Sequence, residues 1–230
     1  MNTISKHLTL LAVMIIATAI PASASYVVIN GITYEYSGKE AAVKSYVTNI
    51  AFPNGKVVIP SQITVADKKY TVTQLGYEAF CGTKITSINI PNTVRVIGAR
   101  AFCSCTQLTE VIMPKYVMNI GSEVFSGCKA LTTIKLSKIA YIGYSAFFGC
   151  TSLSGIELPS VVTIGNYAFS GCTSLAHVSI GDANTSIGER AFQNCKAIRS
   201  ITILASTPPN CGLYALADIN KRTCELVVPR

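Results

Sequence analysis

The chain has no tryptophan, only two histidines and few charges: 13% of its 230 residues are Asp, Glu, Lys or Arg. Each shortage excludes something. His7 falls in the leader described below, so the mature chain keeps a single histidine, His177. One histidine offers neither a catalytic pair nor a metal cluster. There is no G-x-S-x-G, no H-E-x-x-H and no phosphate loop, so neither an enzyme nor a cofactor protein is expected. No basic run exceeds the pairs Lys68-Lys69 and Lys221-Arg222, whereas nucleic-acid binders gather their charge into a stripe or patch.

Long hydrophobic runs are also missing. The longest, Leu8 to Ile20, follows Lys6 and precedes Ala22-Ser23-Ala24. It is too short for a bilayer, which needs roughly 20 residues. A positive start, a short apolar core and a small-x-small site describe a secretory leader over 1–24. The mature protein is expected to begin near Ser25, to be exported, and to carry no membrane-inserted segment. No Cys lies beside the cleavage point for lipid attachment. Without Lys6, 18 basic residues face 11 acidic ones, and they are scattered.

What the sequence does have is a repeat, the feature that decides the fold wherever it occurs. Glycines follow Ile or Leu at 76, 98, 121, 143, 165 and 188. Each opens a segment of the form I-G-x-x-A-F, with Phe at 80, 102, 125, 147, 169 and 192. The glycines suit a sharp turn, and the phenylalanines can stack as an inner row. Five of the nine cysteines, at 105, 128, 150, 172 and 195, share one slot. Ligands placed one per coil do not form a tetrahedron, so this row is read as a buried ladder of thiols and not as a metal site. Coil spacing of ~4.7–4.9 Å also exceeds the usual ~3.5–4.5 Å between disulfide Cβ atoms. Leu or Ile at 85, 108, 131, 153, 175 and 198 opens an alternating apolar segment, as in a half-buried strand. Pro91, Pro114 and Pro159 end it.

The whole pattern, I-G-x-x-A-F-x-x-C-x-x-L-x-x-I-x-L-P over residues 75–209, resembles the BspA-type leucine-rich repeat of bacterial surface proteins. The resemblance implies a right-handed, β-rich solenoid with one short parallel strand per coil of 22–23 residues, and secretion or cell-surface display for adhesion or other protein binding. Departures are local. The first repeat lacks one residue between Phe80 and Ile85, Val124 stands for Ala, and Ser137 for Pro. Asn184 takes a slot elsewhere filled by Val or Ile. A single coil cannot offset the entropy of ordering its own backbone, so the fold requires stacking.

Flanking the array, Asn30-Gly31 sits between Val27–Ile29 and Ile32–Tyr36, a hairpin signal. A second hairpin is expected around Ala66 to Lys69. Val57-Val58-Ile59-Pro60 matches the strand end of a repeat. Residues 25–74 therefore read as an N-terminal β cap, and 210–230 as a C-terminal partial repeat.

Two surfaces compete as binding sites. Strand residues that alternate with the apolar ones point outward, and Glu110, Ile112, Thr133, Lys135, Glu157, His177 and Ser179 form the centre of this face. Such strands line the concave surface that solenoids use for partners. Glu110 and Glu157, with Lys135 between them, read as an ion ladder and not as an acid–base pair. The second surface groups Tyr144, Phe148 and Tyr167 near the Gly-to-Phe turns, where aromatics can stack on sugars or anchor a protein. Glu78, Arg100 and Glu123 share one slot with alternating sign, a structural ladder. A protein partner is expected first, a glycan second, and a structural spacer third. Cys211 and Cys224 lie outside the ladder slot and flank a loop near the end of an exported chain, so a disulfide is expected between them. Cys81 and Cys103, on neighbouring coils, are a weaker candidate pair.

Overall fold

The computed structural model describes residues 25–46, 52–219, 222 and 224–228; the expected leader lies outside the described residues. Asn30 and Gly31, at φ 50° and 77°, close the hairpin of β1 (Ser25–Ile29) and β2 (Ile32–Ser37). Positive φ at both central residues matches the twist of paired strands, and these two residue types tolerate it. β3 (Glu40–Tyr46) pairs antiparallel with β2, a strand the sequence reading did not anticipate. A short 3-10 turn, Pro53–Gly55, is the one helical element among the described residues. It leads into β4 (Lys56–Val58).

The second hairpin is tighter than expected. β5 (Gln62–Val65) and β6 (Lys68–Leu75) place Val65 opposite Lys68. Ala66 and Asp67 alone make the turn, at φ 45° and 61°, and Lys68 and Lys69 belong to the strand. Five of these strands lie side by side in the order β1-β2-β3-β6-β5. β3 and β6 pair in parallel, and the Gly76 amide donates to the Val43 carbonyl at 2.6 Å, which joins the N-terminal sheet to the first coil.

The coils then supply short strands on two sides of the solenoid, the third coil on one side only. On one side are β7 (Ser87–Asn89), β9 (Glu110–Ile112), β12 (Gly155–Leu158), β14 (His177–Ile180), β16 (Ser200–Ile203) and β18 (Glu225–Val227). On the other, preceding the repeat glycines, are β8 (Val96–Ile97), β10 (Asn119–Ile120), β11 (Tyr141–Ile142), β13 (Thr163–Ile164), β15 (Ser186–Ile187) and β17 (Asn210–Cys211). Pairing is parallel and coil on coil, with His177 between Gly155 and Ser200. The second side supplies a strand that the one-strand-per-coil expectation missed.

The phenylalanines form the core. All six are fully buried, and their rings stack at 5.1–5.7 Å with interplanar angles of 2–18°. Coil spacing fixes this geometry: each Phe amide donates to the carbonyl of the equivalent Ala or Val in the next coil, as from Phe147 to Ala168 at 2.7 Å. The five ladder cysteines are fully buried beside them. Each thiol donates to the Phe carbonyl of the preceding coil, at 3.0–3.2 Å. In the first coil Thr83 takes the slot and its hydroxyl meets the Cys105 thiol at 3.3 Å.

Three readings need correction. The repeat glycines do not supply a positive φ; that falls two residues later, at Glu78, Arg100, Glu123, Ser145, Tyr167 and Arg190, with φ between 50° and 59°. The glycines are needed for close approach. A Cβ on Gly165 would lie 2.7 Å from the Gly143 carbonyl carbon, and one on Gly98 2.6 Å from that of Gly76. Gly121 is the exception, with nothing nearer than 3.7 Å. Asn184 does not occupy the inward slot either. It is exposed, and Thr185 is buried instead, with its hydroxyl donating to the Val161 carbonyl at 2.9 Å.

The third correction is the Cys211–Cys224 disulfide: all nine cysteines are free. Residues 210–219 continue the stack as a divergent coil. Cys211 stands opposite Ile187, so it occupies the Ile slot before Gly212. Ala215 accepts from the Phe192 amide at 2.8 Å, Leu216 follows in the Phe slot, and Ile219 is buried in the Cys slot. Cys224 directly precedes β18, in the other sheet. The two thiols thus sit on different sides of the coil. Cys81 and Cys103 are also unbonded. Burial, then the neighbouring Cys103 thiol, push the Cys81 thiol up to about 11.

Candidate functional site

Seven outward strand residues were expected to form one face, and the structure brings them together in two adjoining depressions. The first, about 480 Å³, lies between coils two and three and includes Glu110, Ile112, Thr133 and Lys135. The second, about 820 Å³, runs over coils three to six and includes Thr133, Lys135, Glu157, His177 and Ser179. Strand alternation explains the arrangement: Ile156, Leu158, Val178 and Ile180 are buried, which turns Glu157 and His177 to solvent. Gly155 and a series of hydroxyls, from Ser154, Ser200 and Thr202, complete the second depression. His177 Nδ1 and Ser200 Oγ share a 2.8 Å hydrogen bond across coils.

The expected ion ladder on this face does not form. The four ion pairs among the described residues join Lys44 to Glu35, Arg100 to Glu78 and Glu123, and Arg190 to Glu189. Glu110, Lys135 and Glu157 are in none of them. By contrast, the ladder along the turn edge forms as read. Arg100 Nε donates to Glu78 at 2.7 Å and its Nη1 to Glu123 at 2.9 Å.

The aromatic surface forms in part. Tyr144 and Tyr167 meet edge to face at 5.9 Å, and Tyr144 is half exposed. Phe148 is exposed too, but among the described residues it makes no ring contact with them. Sequence reading missed two members of this group. The Arg190 guanidinium donates to the Tyr167 hydroxyl at 2.6 Å and lies 5.7 and 5.4 Å from the rings of Tyr167 and Tyr214. The available signal was the slot itself: Tyr167, Arg190 and Tyr214 each stand two residues after a repeat glycine. The contact with the Tyr167 hydroxyl raises the Arg190 pKa further. Guanidinium and rings here satisfy one another, which leaves less of the edge open to a ligand.

Burial pushes the Cys105 thiol up to about 11 and the Cys150 thiol up to about 12, so these two stay protonated and poorly nucleophilic. Among the described residues no three His, Cys, Asp or Glu side chains converge as a metal site, and no helix is long and apolar enough to cross a membrane.

Comparison with known proteins agrees with this geometry. The BspA type leucine rich repeat region matches in six copies, over residues 73–199 and 152–222. A leucine-rich cell surface protein of Faecalibacterium prausnitzii superposes with a TM-score of 0.75 at 28% identity, over 89% of this chain and 55% of that one. The chain therefore spans about half of that protein's length. A leucine-rich repeat protein of Bacteroides ovatus gives 0.60 at 27% identity, covering 87% and 67% of the two chains. The T. pallidum leucine-rich repeat protein shares the fold, with a TM-score of 0.71 at 23% identity over 86% and 97%. No curated protein matches the chain. Six matched copies, a stacked-coil solenoid and these neighbours lead to one assignment: the chain belongs to the BspA-type leucine-rich repeat family.

Proposed function

We propose that the protein is an exported binding scaffold of the bacterial surface that engages a protein partner through its strand face. The observation that supports this reading is the contrast in charge satisfaction between the two sides. On the turn edge Glu78, Arg100, Glu123 and Arg190 are already partnered within the chain. On the strand face Glu110, Lys135 and Glu157 stand in depressions, exposed and outside every ion pair of the described residues. Unneutralised charges of both signs, set on a rigid ladder, supply orientation and specificity to a protein complex at low desolvation cost. Family membership supports an interaction role, and the surface protein of Faecalibacterium prausnitzii supports display outside the cell.

The test uses the purified chain on an array of extracellular proteins beside a glycan array. The double reversal Lys135→Glu/Glu157→Lys is expected to weaken protein capture without lowering the melting temperature. Tyr144→Ala/Tyr167→Ala is expected to leave capture intact. The opposite result, loss only in the tyrosine variant, transfers the site to the aromatic edge and favours a glycan.

A further inference from the structure

The strand ladder is interrupted at one place. It runs β4-β7-β9, stops, and resumes as β12-β14-β16-β18. The intervening segment of coil three, residues 133–136, keeps strand-like alternation: Ile134 and Leu136 are buried, Thr133 and Lys135 exposed. Yet it pairs with neither neighbour. Among the described residues the amides of Thr133 to Leu136 and the carbonyls of Thr133 to Lys135 make no hydrogen bond.

On the side of coil two the break coincides with a change in coil length. From the last outward strand residue to the next repeat isoleucine, coil two runs from Ile112 to Ile120, whereas coil three runs from Lys135 to Ile142, one residue fewer. The reverse change, between coils four and five, leaves the ladder whole. There Gly181 packs directly on the Pro159 backbone, where no Cβ would fit. Coils two and three have Pro114 and Ser137 at that slot and no such relief.

The break opens the smaller depression into a crevice beside the unpaired backbone. Its walls include Ile134, Leu136 and Met113, and Ile112, itself 50% exposed, stands at its mouth. Lys115, Lys135 and Lys138 line it against a single carboxylate, Glu110. We infer that this crevice binds an extended, acidic polypeptide segment bearing an apolar side chain, with its main chain laid along Thr133 to Leu136. Each part of such a ligand answers one observation. Its amides and carbonyls meet backbone groups that folded proteins rarely leave unpartnered. Its apolar side chain covers Ile112 and enters between the coils. Its carboxylates meet the excess of lysines. A sulfated glycan answers the charge alone.

This inference rests on the strand-face reading and narrows it to one partner chemistry. The probe is a short, end-blocked, fluorescently labelled peptide of alternating Asp and Leu, titrated with the purified chain and followed by anisotropy. Its controls are the Lys/Leu analogue, oligo-Asp, a backbone N-methylated Asp/Leu analogue and a sulfated oligosaccharide. The Asp/Leu peptide is expected to bind and all four controls to bind more weakly. Lys115→Glu/Lys138→Glu and, separately, Ile112→Asp are each expected to weaken it by at least about tenfold, with unchanged circular dichroism melts. Failure of the Asp/Leu peptide to bind overturns the inference, as does equal binding by oligo-Asp, the N-methylated analogue or the sulfated sugar. If the Lys135/Glu157 reversal still abolishes capture on the protein array while the peptide fails, only the crevice assignment falls.

Discussion

The turn edge and the strand face are built from the same coils yet follow different rules. Along the turn edge the structure repeats with little variation from coil to coil. Phe rings stack at 5.1–5.7 Å, thiols hang on Phe carbonyls, and the exposed charges close on one another. Along the strand face the ladder breaks at coil three and charges remain open. The edge is occupied with holding coils together, so nearly every group there is satisfied by the coil above or below. The strand face carries alternate side chains that packing does not use, and these are free to differ.

That comparison breaks first at the spine. Phe147→Ala, in a middle coil, is expected to destabilise by roughly 3–5 kcal/mol, as for a buried aromatic truncated in a packed core. Urea unfolding checks it, and an unchanged midpoint would remove Phe147 from the core. The repeat glycines sharpen the point, because one of them lacks the constraint. Gly165→Ala forces a methyl against the Gly143 backbone and is expected to cost about 1–3 kcal/mol. Gly121→Ala meets only open space and ordinary contacts, with an expected change within about 0.5 kcal/mol. Equal melting temperatures for the two variants would contradict the close-approach explanation.

A third prediction concerns pH. The buried thiols of Cys105 and Cys150 are pushed from the ordinary value of 9.0 to about 11 and about 12. The unfolded chain therefore loses these protons first as pH rises. Their contribution is fully present below pH 9 and declines as pH climbs through 9 toward 11–12. Denaturation midpoints measured across that window should fall, and Cys150→Ala should fall less steeply from its own lower starting point. The smallest effect belongs to Arg100→Met on the turn edge. Its two partners are partly exposed, so a loss of ~0–1 kcal/mol is expected in thermal melts. A larger loss would make the edge ladder a structural necessity and not a by-product of the slot.

Much of this architecture is readable from residue order because a repeat states the same constraint several times. Phe at six equivalent positions marks the spine, and Cys at five marks the row beside it. Asn30-Gly31 marks its hairpin because two consecutive positive φ values suit few residue pairs. Where the repeat diverges, legibility ends. Cys211, Ala215, Leu216 and Ile219 restate the Ile, Ala, Phe and Cys slots with only Ala215 and Gly212 unchanged. The coil they form was visible only as a loosened pattern, and Cys211 looked like a disulfide partner when it was an exposed substitute in the repeat Ile slot. Arg190 and Tyr214 escaped notice as partners of Tyr167 for the same reason, since their contact joins three coils.

The sequence by itself determined the period, the inward rows and the outward character of Glu110, Lys135, Glu157 and His177, because alternation and recurrence are local properties of the chain. Only the tertiary structure decided what neighbouring coils do to one another. It showed that the repeat glycines serve close backbone approach, that Thr185 and not Asn184 turns inward, and that the ladder fails beside Thr133 to Leu136. Each of these depends on distances between residues some 22–26 positions apart. Recurrence in the sequence fixes which slot a residue fills, but the hydrogen bonds of a parallel ladder are made between coils, so whether they form is decided only when the coils stack.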